Sequence, residues 1–327
     1  MVAITQWAGA ARRLWAAALQ RRLHRLSMPW RLSTGLQAAV LFAAAMLLFS
    51  PADKLLLAAE PAGKPTTSRS AQDAAVRAIP LDKLSAESRG KVTAVLNDVS
   101  LYRRLPNQAV DCEPDLFRFI MNNPDLMVNI WRVMGVTNIV LDREDATHYR
   151  CSDGDGTTAR VEVVYRSAQM QVIYAEGLYE GPLFPRPVRG QCVAVLQYAS
   201  VRKASGRFEE TAQLDTFLHV DNIGVEIIAK LFQGLVGRTV DHNFSETVSF
   251  VGSVSRTAEL NPRGTRRLAA HLDRVEPERR EQFIAVADQV AGKMADAKLS
   301  DDDDIQPLTD VVQSSALDAT PGKNSKR

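Results

Sequence analysis

Apolar positions recur along this chain with two periods, and the change falls near Val136. Before it the spacing is helical. Leu81–Leu84 and Ser85–Leu96 predict a short helix, and Asn107–Cys112 a short strand. Pro114 then opens a helical run with Leu116, Phe117 and Ile120 on one face, because a proline at the first turn lacks only an amide that has no partner there. Asn122-Asn123-Pro124 breaks the run. A second helix carries Leu126, Val128, Ile130, Trp131 and Met134 and ends at Gly135.

After Val136 the period is two. Strands are predicted over Val136–Arg143, His148–Cys151, Ala159–Arg166, Gln171–Glu176, Gln191–Arg202 and Arg207–Asp221. Their joints are short and turn-rich, which predicts an antiparallel sheet. Val161, Val163 and Tyr165 alternate against Glu162 and Arg166. In the last strand Leu214, Thr216, Leu218 and Val220 share one face, and Asp215, Phe217, His219 and Asp221 the other. Asn222 caps a helix in which Ile223, Ile227, Leu231 and Leu235 recur at spacing four beside Ile228 and Phe232. Gly234 and Gly237 loosen it, and a further segment follows over Phe244–Leu260. More helices are predicted over Pro262–Val275 and Pro277–Ala297.

The fold class is therefore α+β: a strand, two helices, five or six antiparallel strands, then a long helix. In this order residues 105–260 resemble the START-like (SRPBCC) helix-grip superfamily. That resemblance implies a curved antiparallel sheet packed on a long C-terminal helix, with a hydrophobic cavity between them for lipids or similar ligands. The helices after Leu260 are extra to that pattern. Y-R-R-L-P (102–106), D-C-E-P-D (111–115), Y-E-G-P-L-F-P-R-P-V-R-G-Q-C (179–192), D-N-I-G-V-E (221–226) and V-G-R-T-V-D-H-N-F (236–244) are also similar to an uncharacterised, planctomycete-type family of exported bacterial proteins, which implies export and no activity.

The N-terminal pattern is different. Residues 1–52 hold Arg12, Arg13, Arg21, Arg22, Arg25 and Arg31 with no Asp, Glu or Lys. An uncharged apolar run fills 35–49, about 15 positions against the roughly 20 that a spanning helix needs. Small residues follow, with fitting cleavage points after Ala52 and Ala59. A basic n-region with a signal peptide, or an uncleaved membrane anchor, is predicted over 1–52. Trp7, Leu14, Trp15, Leu19, Leu23 and Leu26 among arginines read either as a basic amphipathic helix on a membrane surface or as sequence upstream of a true start at Met28. Composition then predicts a flexible linker over 53–79 and a disordered acidic tail over 298–327; between them, over 80–297, the resemblance implies a START-like domain with C-terminal helices.

The whole chain has 327 residues, 46% apolar and 24% charged, with a net charge of +2. Six positive charges sit in residues 1–52, so residues 53–327 carry a net −4. A mildly acidic body argues against nucleic acid as a partner.

Candidate chemistry is sparse. His219, Asp221, Asp241, His242 and Glu246 form the best polar cluster. His242 and Glu246 are four apart, so a helix would turn both the same way. Two histidines with carboxylates suit a metal, yet the spacing matches no standard motif, and Asp241-His242-Asn243 fits a helix cap better. No metal or cofactor is assigned. Cys112, Cys151 and Cys192 lack C-x-x-C spacing; export would permit one disulfide, and buried free thiols fit equally. The residues expected to line a ligand cavity are Trp131, Tyr165, Tyr174, Phe217, His219 and Phe232. Arg186 and Arg189 stand where they could meet an anionic head group. No hydrolase, P-loop or dinucleotide signature is present.

The reading is an exported cell-envelope or periplasmic protein. It binds a hydrophobic or amphipathic, lipid-like ligand without catalysis and meets the membrane through its N-terminal segment. The alternatives are an envelope cyclase or hydrolase that uses the His/Asp cluster, and a structural or interaction protein.

Overall fold

The computed structural model describes residues 64–181, 186–221 and 235–303. Its helices are α1 (Arg69–Ala78), α2 (Ala86–Asn97), α3 (Pro114–Asn122), α4 (Pro124–Val133), α5 (Leu235–Leu260), α6 (Pro262–Ala270) and α7 (Pro277–Asp303). Its strands are β1 (Leu101–Arg104), β2 (Gln108–Asp111), β3 (Val140–Arg143), β4 (His148–Ser152), β5 (Thr157–Arg166), β6 (Met170–Tyr179), β7 (Val188–Arg202) and β8 (Phe208–Val220). None of the described helices is long and apolar enough to cross a membrane.

The strands form one curved, open antiparallel sheet in the order β1–β8–β7–β6–β5–β4–β3. β2 follows β1 along the same side of β8. Arg104 stands opposite Asp215, and Gln108 opposite Ala212, so the first strand is one line broken at Leu105–Asn107. The fold is α+β, as the change of period predicts.

Alternation assigns each strand residue to a face. On the inner face lie Tyr149, Cys151, Val161, Val163, Ala175, Cys192, Ala194, Leu214 and Leu218. They pack with Leu116, Phe117 and Ile120 of α3, Ile130 and Trp131 of α4, Phe244, Val248 and Val251 of α5, and Phe283 of α7. On the outer face Tyr102, Val172, Tyr174, Val193, Val195 and Phe217 are covered by Ala71 and Ala75 of α1 and Val92 and Val95 of α2. The sheet is thus covered by helices on both faces.

Several expectations change. Residues 69–78, assigned to a linker by composition, form α1, capped by the Ser68 hydroxyl, which accepts from the Ala71 amide at 3.3 Å. β1 was not anticipated. The strand predicted over Val136–Arg143 is confined to Val140–Arg143. Gly135, at φ +72°, turns the chain out of α4, and the Arg132 guanidinium donates to the carbonyls of Asn138 and Ile139, which keeps that stretch beside the helix. Met134 is exposed rather than core. The helix predicted from Phe244 starts earlier: α5 is continuous from Leu235 through Gly237, and Asp241-His242-Asn243 lies inside it rather than capping it. The helix predicted from Asn222, with Phe232, lies outside the described residues. So do residues 1–63 and the tail beyond Asp303. Residues 298–303, read as part of that tail, continue α7.

Candidate functional site

The described residues expected to share a cavity do not all line one: they are divided between the two faces of the sheet. Trp131 is buried on the inner face, its ring centroid 5.8 Å from that of Phe250 and its indole N–H without a partner among the described residues. Tyr174 and Phe217 are buried on the outer face beneath the N-terminal helices. Phe217 lies 5.1 Å from the Tyr102 ring. The Tyr174 hydroxyl donates to Glu176 at 3.2 Å, Lys91 stands 5.8 Å from its ring, and burial pushes its phenol up to about 12. The sheet therefore separates Trp131 from these two, and both positions are packed against protein. Phe232 lies outside the described residues.

The polar cluster is divided in the same way. His219 is on the outer face, held by the Asp98 carbonyl oxygen at 2.7 Å from Nδ1 and by Asp221 at 3.1 Å from Nε2. Asp241, His242 and Glu246 belong to α5 on the other side of the sheet. Asp241 accepts from Arg103 of β1, with Nε to Oδ1 at 2.9 Å. His242 is exposed and 3.9 Å from Glu246, one turn on. Among the described residues, no group of three or more His, Cys, Asp or Glu side chains could hold a metal ion.

None of the three cysteines forms a disulfide, and all are buried on the inner face. Burial pushes each thiol up to about 12, which disfavours the thiolate that a nucleophile needs. His148 is exposed and bonded to Asp145, while Cys151 points into the core, as their odd separation on a strand requires.

What the outer face does hold is a cleft of about 490 Å³. It lies where the cover of α1 and α2 ends. Val193, Val195 and Phe217 are roofed; along the same phase Gln197, Ala199, Thr211 and Gln213 are not, and they form the floor with Met170. Met170 stands opposite Gln197, and Gln197 opposite Gln213, so these three make one row across β6, β7 and β8. Ala78 and Pro80 at the end of α1 form one wall. Asn107, Tyr165, Ser167 and Gln169 form the rim.

Tyr165 reaches this face through a β-bulge. Val163 stands opposite Ile173 and Tyr165 opposite Val172, so two steps on β5 match one on β6. The extra residue reverses the alternation, and Tyr165 leaves the face of Val161 and Val163. The strict alternation read from the sequence put it on the wrong side.

Beside the floor, on the same face of the sheet, lies a buried charge. Asp215 is fully buried and accepts from the Tyr102 hydroxyl at 2.6 Å, from Arg104 at 2.8 and 3.1 Å, and from the Gln213 amide at 3.2 Å. The last bond fixes Gln213: its NH₂ turns to Asp215, so its carbonyl oxygen is left free to accept. The side-chain amides of Asn107, Gln169 and Gln197 make no hydrogen bond to the described protein residues.

Sequence reasoning named only Tyr165 among the lining residues. The available signal was the switch along one phase from Val193 and Val195 to Gln197 and Ala199. Arg189 is exposed on β7, eight residues or roughly 26 Å of strand from Gln197, so it does not frame the cleft.

No family model and no curated protein matches the chain. Among solved structures, one described as a conserved protein from Geobacillus kaustophilus is similar, with 13% identity and a TM-score of 0.33, covering 46% of this chain and 93% of that one.

Proposed function

We propose that this protein is a non-catalytic binding protein of the cell envelope that takes an amphipathic ligand in the outer-face cleft. The observation that carries the reading is the cleft's mixed lining. Tyr165, Met170, Ala78 and Pro80 offer apolar surface, and amide and hydroxyl groups stand beside them. Sites for small ligands pair apolar contact, which supplies affinity, with a few polar groups that fix orientation. The described lining residues include no His, Cys, Asp, Glu, Lys or Arg, so the cleft offers no side chain suited to general acid–base catalysis near neutral pH.

The START-like helix-grip assignment belongs to this proposal. It is supported by element order: a split first strand, two helices, six further strands, and then a long helix against the inner face. Placement in the envelope is supported by the basic, then apolar pattern of residues 1–52, with that segment as the membrane contact.

The site here differs from the internal cavity that the family resemblance implies. The test uses methyl-labelled methionine NMR on the protein, with Met170 assigned through Met170→Leu. Octyl glucoside, kept below its micelle concentration, shifts the Met170 methyl and leaves that of buried Met127 unmoved. A shift at Met127 instead, or no shift at all, overturns the cleft as the site.

A further inference from the structure

The cleft's lining is selective in what it omits. Charged residues make up 24% of the chain, yet no charged side chain is among the thirteen described residues around the cleft. A carboxylate or phosphate group placed there would lose water and gain no cation. An ammonium group would likewise meet no anion, since Asp215, beside the floor, is fully buried and engaged by four donated bonds.

What the lining does offer is amides. Each free amide presents two donors and a carbonyl acceptor within a few ångströms. Gln197 stands in the middle of the floor row, between Met170 and Gln213. Gln213 contributes an acceptor whose direction Asp215 sets. A hydroxyl group donates and accepts at one atom, so adjacent hydroxyls on a ring match such a row. The C–H face of the same ring suits the apolar surface of Tyr165 and Met170. An extended peptide fits less well. The floor is the face of interior strands whose main-chain groups are already paired, leaving no strand edge for it to join.

We infer that the cleft takes a neutral polyhydroxylated ligand, a saccharide or the saccharide head of an amphiphile, with Gln197 and Gln213 as its polar contacts. This rests on the binding role proposed above and specifies its ligand class. The buried ionic group supports it in a second way. Replacing a buried ion pair with apolar residues is often neutral or stabilising, so such a pair is poorly explained by stability alone. Here Asp215 orients a side chain at the edge of the cleft.

The experiment keeps the Met170 methyl readout and separates head from tail. Maltotriose, cellotriose and triacetylchitotriose are titrated as neutral sugars without a chain, and 1-octanol as an uncharged chain without a sugar. At least one sugar is expected to shift the Met170 methyl saturably, and Gln197→Leu is expected to weaken that binding about tenfold. The Gln197 side chain bonds to no described residue, so this variant should fold as the parent does; an unchanged Met127 methyl checks it. If octanol or octyl glucoside shifts Met170 and no sugar does, the saccharide assignment falls and the binding cleft stands. If a sugar binds parent and Gln197→Leu equally, the assigned contacts are wrong and the inference falls. Silence to sugars, octanol and octyl glucoside alike overturns both.

Discussion

Asp215 shows what a single residue can and cannot reveal in sequence. Alternation along β8 places it beside Phe217 on the outer face, and the structure puts it there. Its burial was not legible, because that depends on Arg104 and Tyr102 arriving from a strand more than a hundred positions earlier. Removing the carboxylate leaves the Arg104 guanidinium without its buried partner. Asp215→Ala should therefore cost about 3–5 kcal/mol, read as a lowered urea midpoint. Glu210 is the opposite case. It is buried on the inner face, where desolvation raises its pKa, and one of its oxygens has no partner among the described residues. The folded protein holds that proton more tightly than the unfolded chain does. This group therefore adds stability at acid pH, and the contribution is lost as pH rises through the carboxylate range to the raised value. Glu210→Gln should stabilise the protein at neutral pH, and the gain should vanish in acid. Urea melts of both proteins across that range would show it, and an equal gain at every pH would contradict it.

At the level of elements, the strongly patterned helices were the legible ones. The face of α3 emerges as read, with Leu116, Phe117 and Ile120 buried, whereas α4 buries Leu126, Val128, Ile130 and Trp131 but leaves Met134 past its end and exposed. α1 escaped notice because its buried face is only Ala71 and Ala75, spaced by one turn, in a segment of linker composition. β1 escaped because Arg103 and Arg104 look solvated in sequence. In the fold they pair with Asp241 and Asp215 on opposite faces of the sheet. Contact distances between elements were equally invisible. α5 approaches β2 so closely that a Cβ on Gly252 would lie 2.2 Å from Val110 Cγ2 and 3.2 Å from the Asp111 carbonyl oxygen. In an exposed helix, alanine would be the more stable choice. Here Gly252→Ala should destabilise by about 1–3 kcal/mol through overpacking. Thermal unfolding at matched conditions tests the sign; a stabilised variant would mean that α5 can lift from β2 without cost.

For the molecule as a whole, the fold class and the antiparallel run of strands after Val136 were legible, but β1 and the second helical layer were not. That layer comes from residues treated as linker and as a lone short helix. Its small contact residues cover Val172, Tyr174, Val193, Val195 and Phe217. The same layer creates the cleft, because the floor row lies immediately beyond its edge. A chain lacking residues 64–97 should keep the inner core yet expose that apolar row, so it should bind an environment-sensitive dye and self-associate. A dye-silent monomer would show that the outer layer adds little to cohesion.

The pairing of β1 and β2 with β8 also sets a schedule. Roughly a hundred residues separate the end of β2 from the start of β8, so bringing these partners together has a large loop-closure cost. On a chain made from its N-terminus, β1 and β2 emerge early and wait without a partner. Until β8 arrives, β7 presents an unpaired edge 15 residues long, the kind of surface on which aggregation starts. The most vulnerable moment of this protein is therefore just before its last strand is made, and conditions that hold the chain open until then should raise its yield more than any gain in the stability of the finished fold.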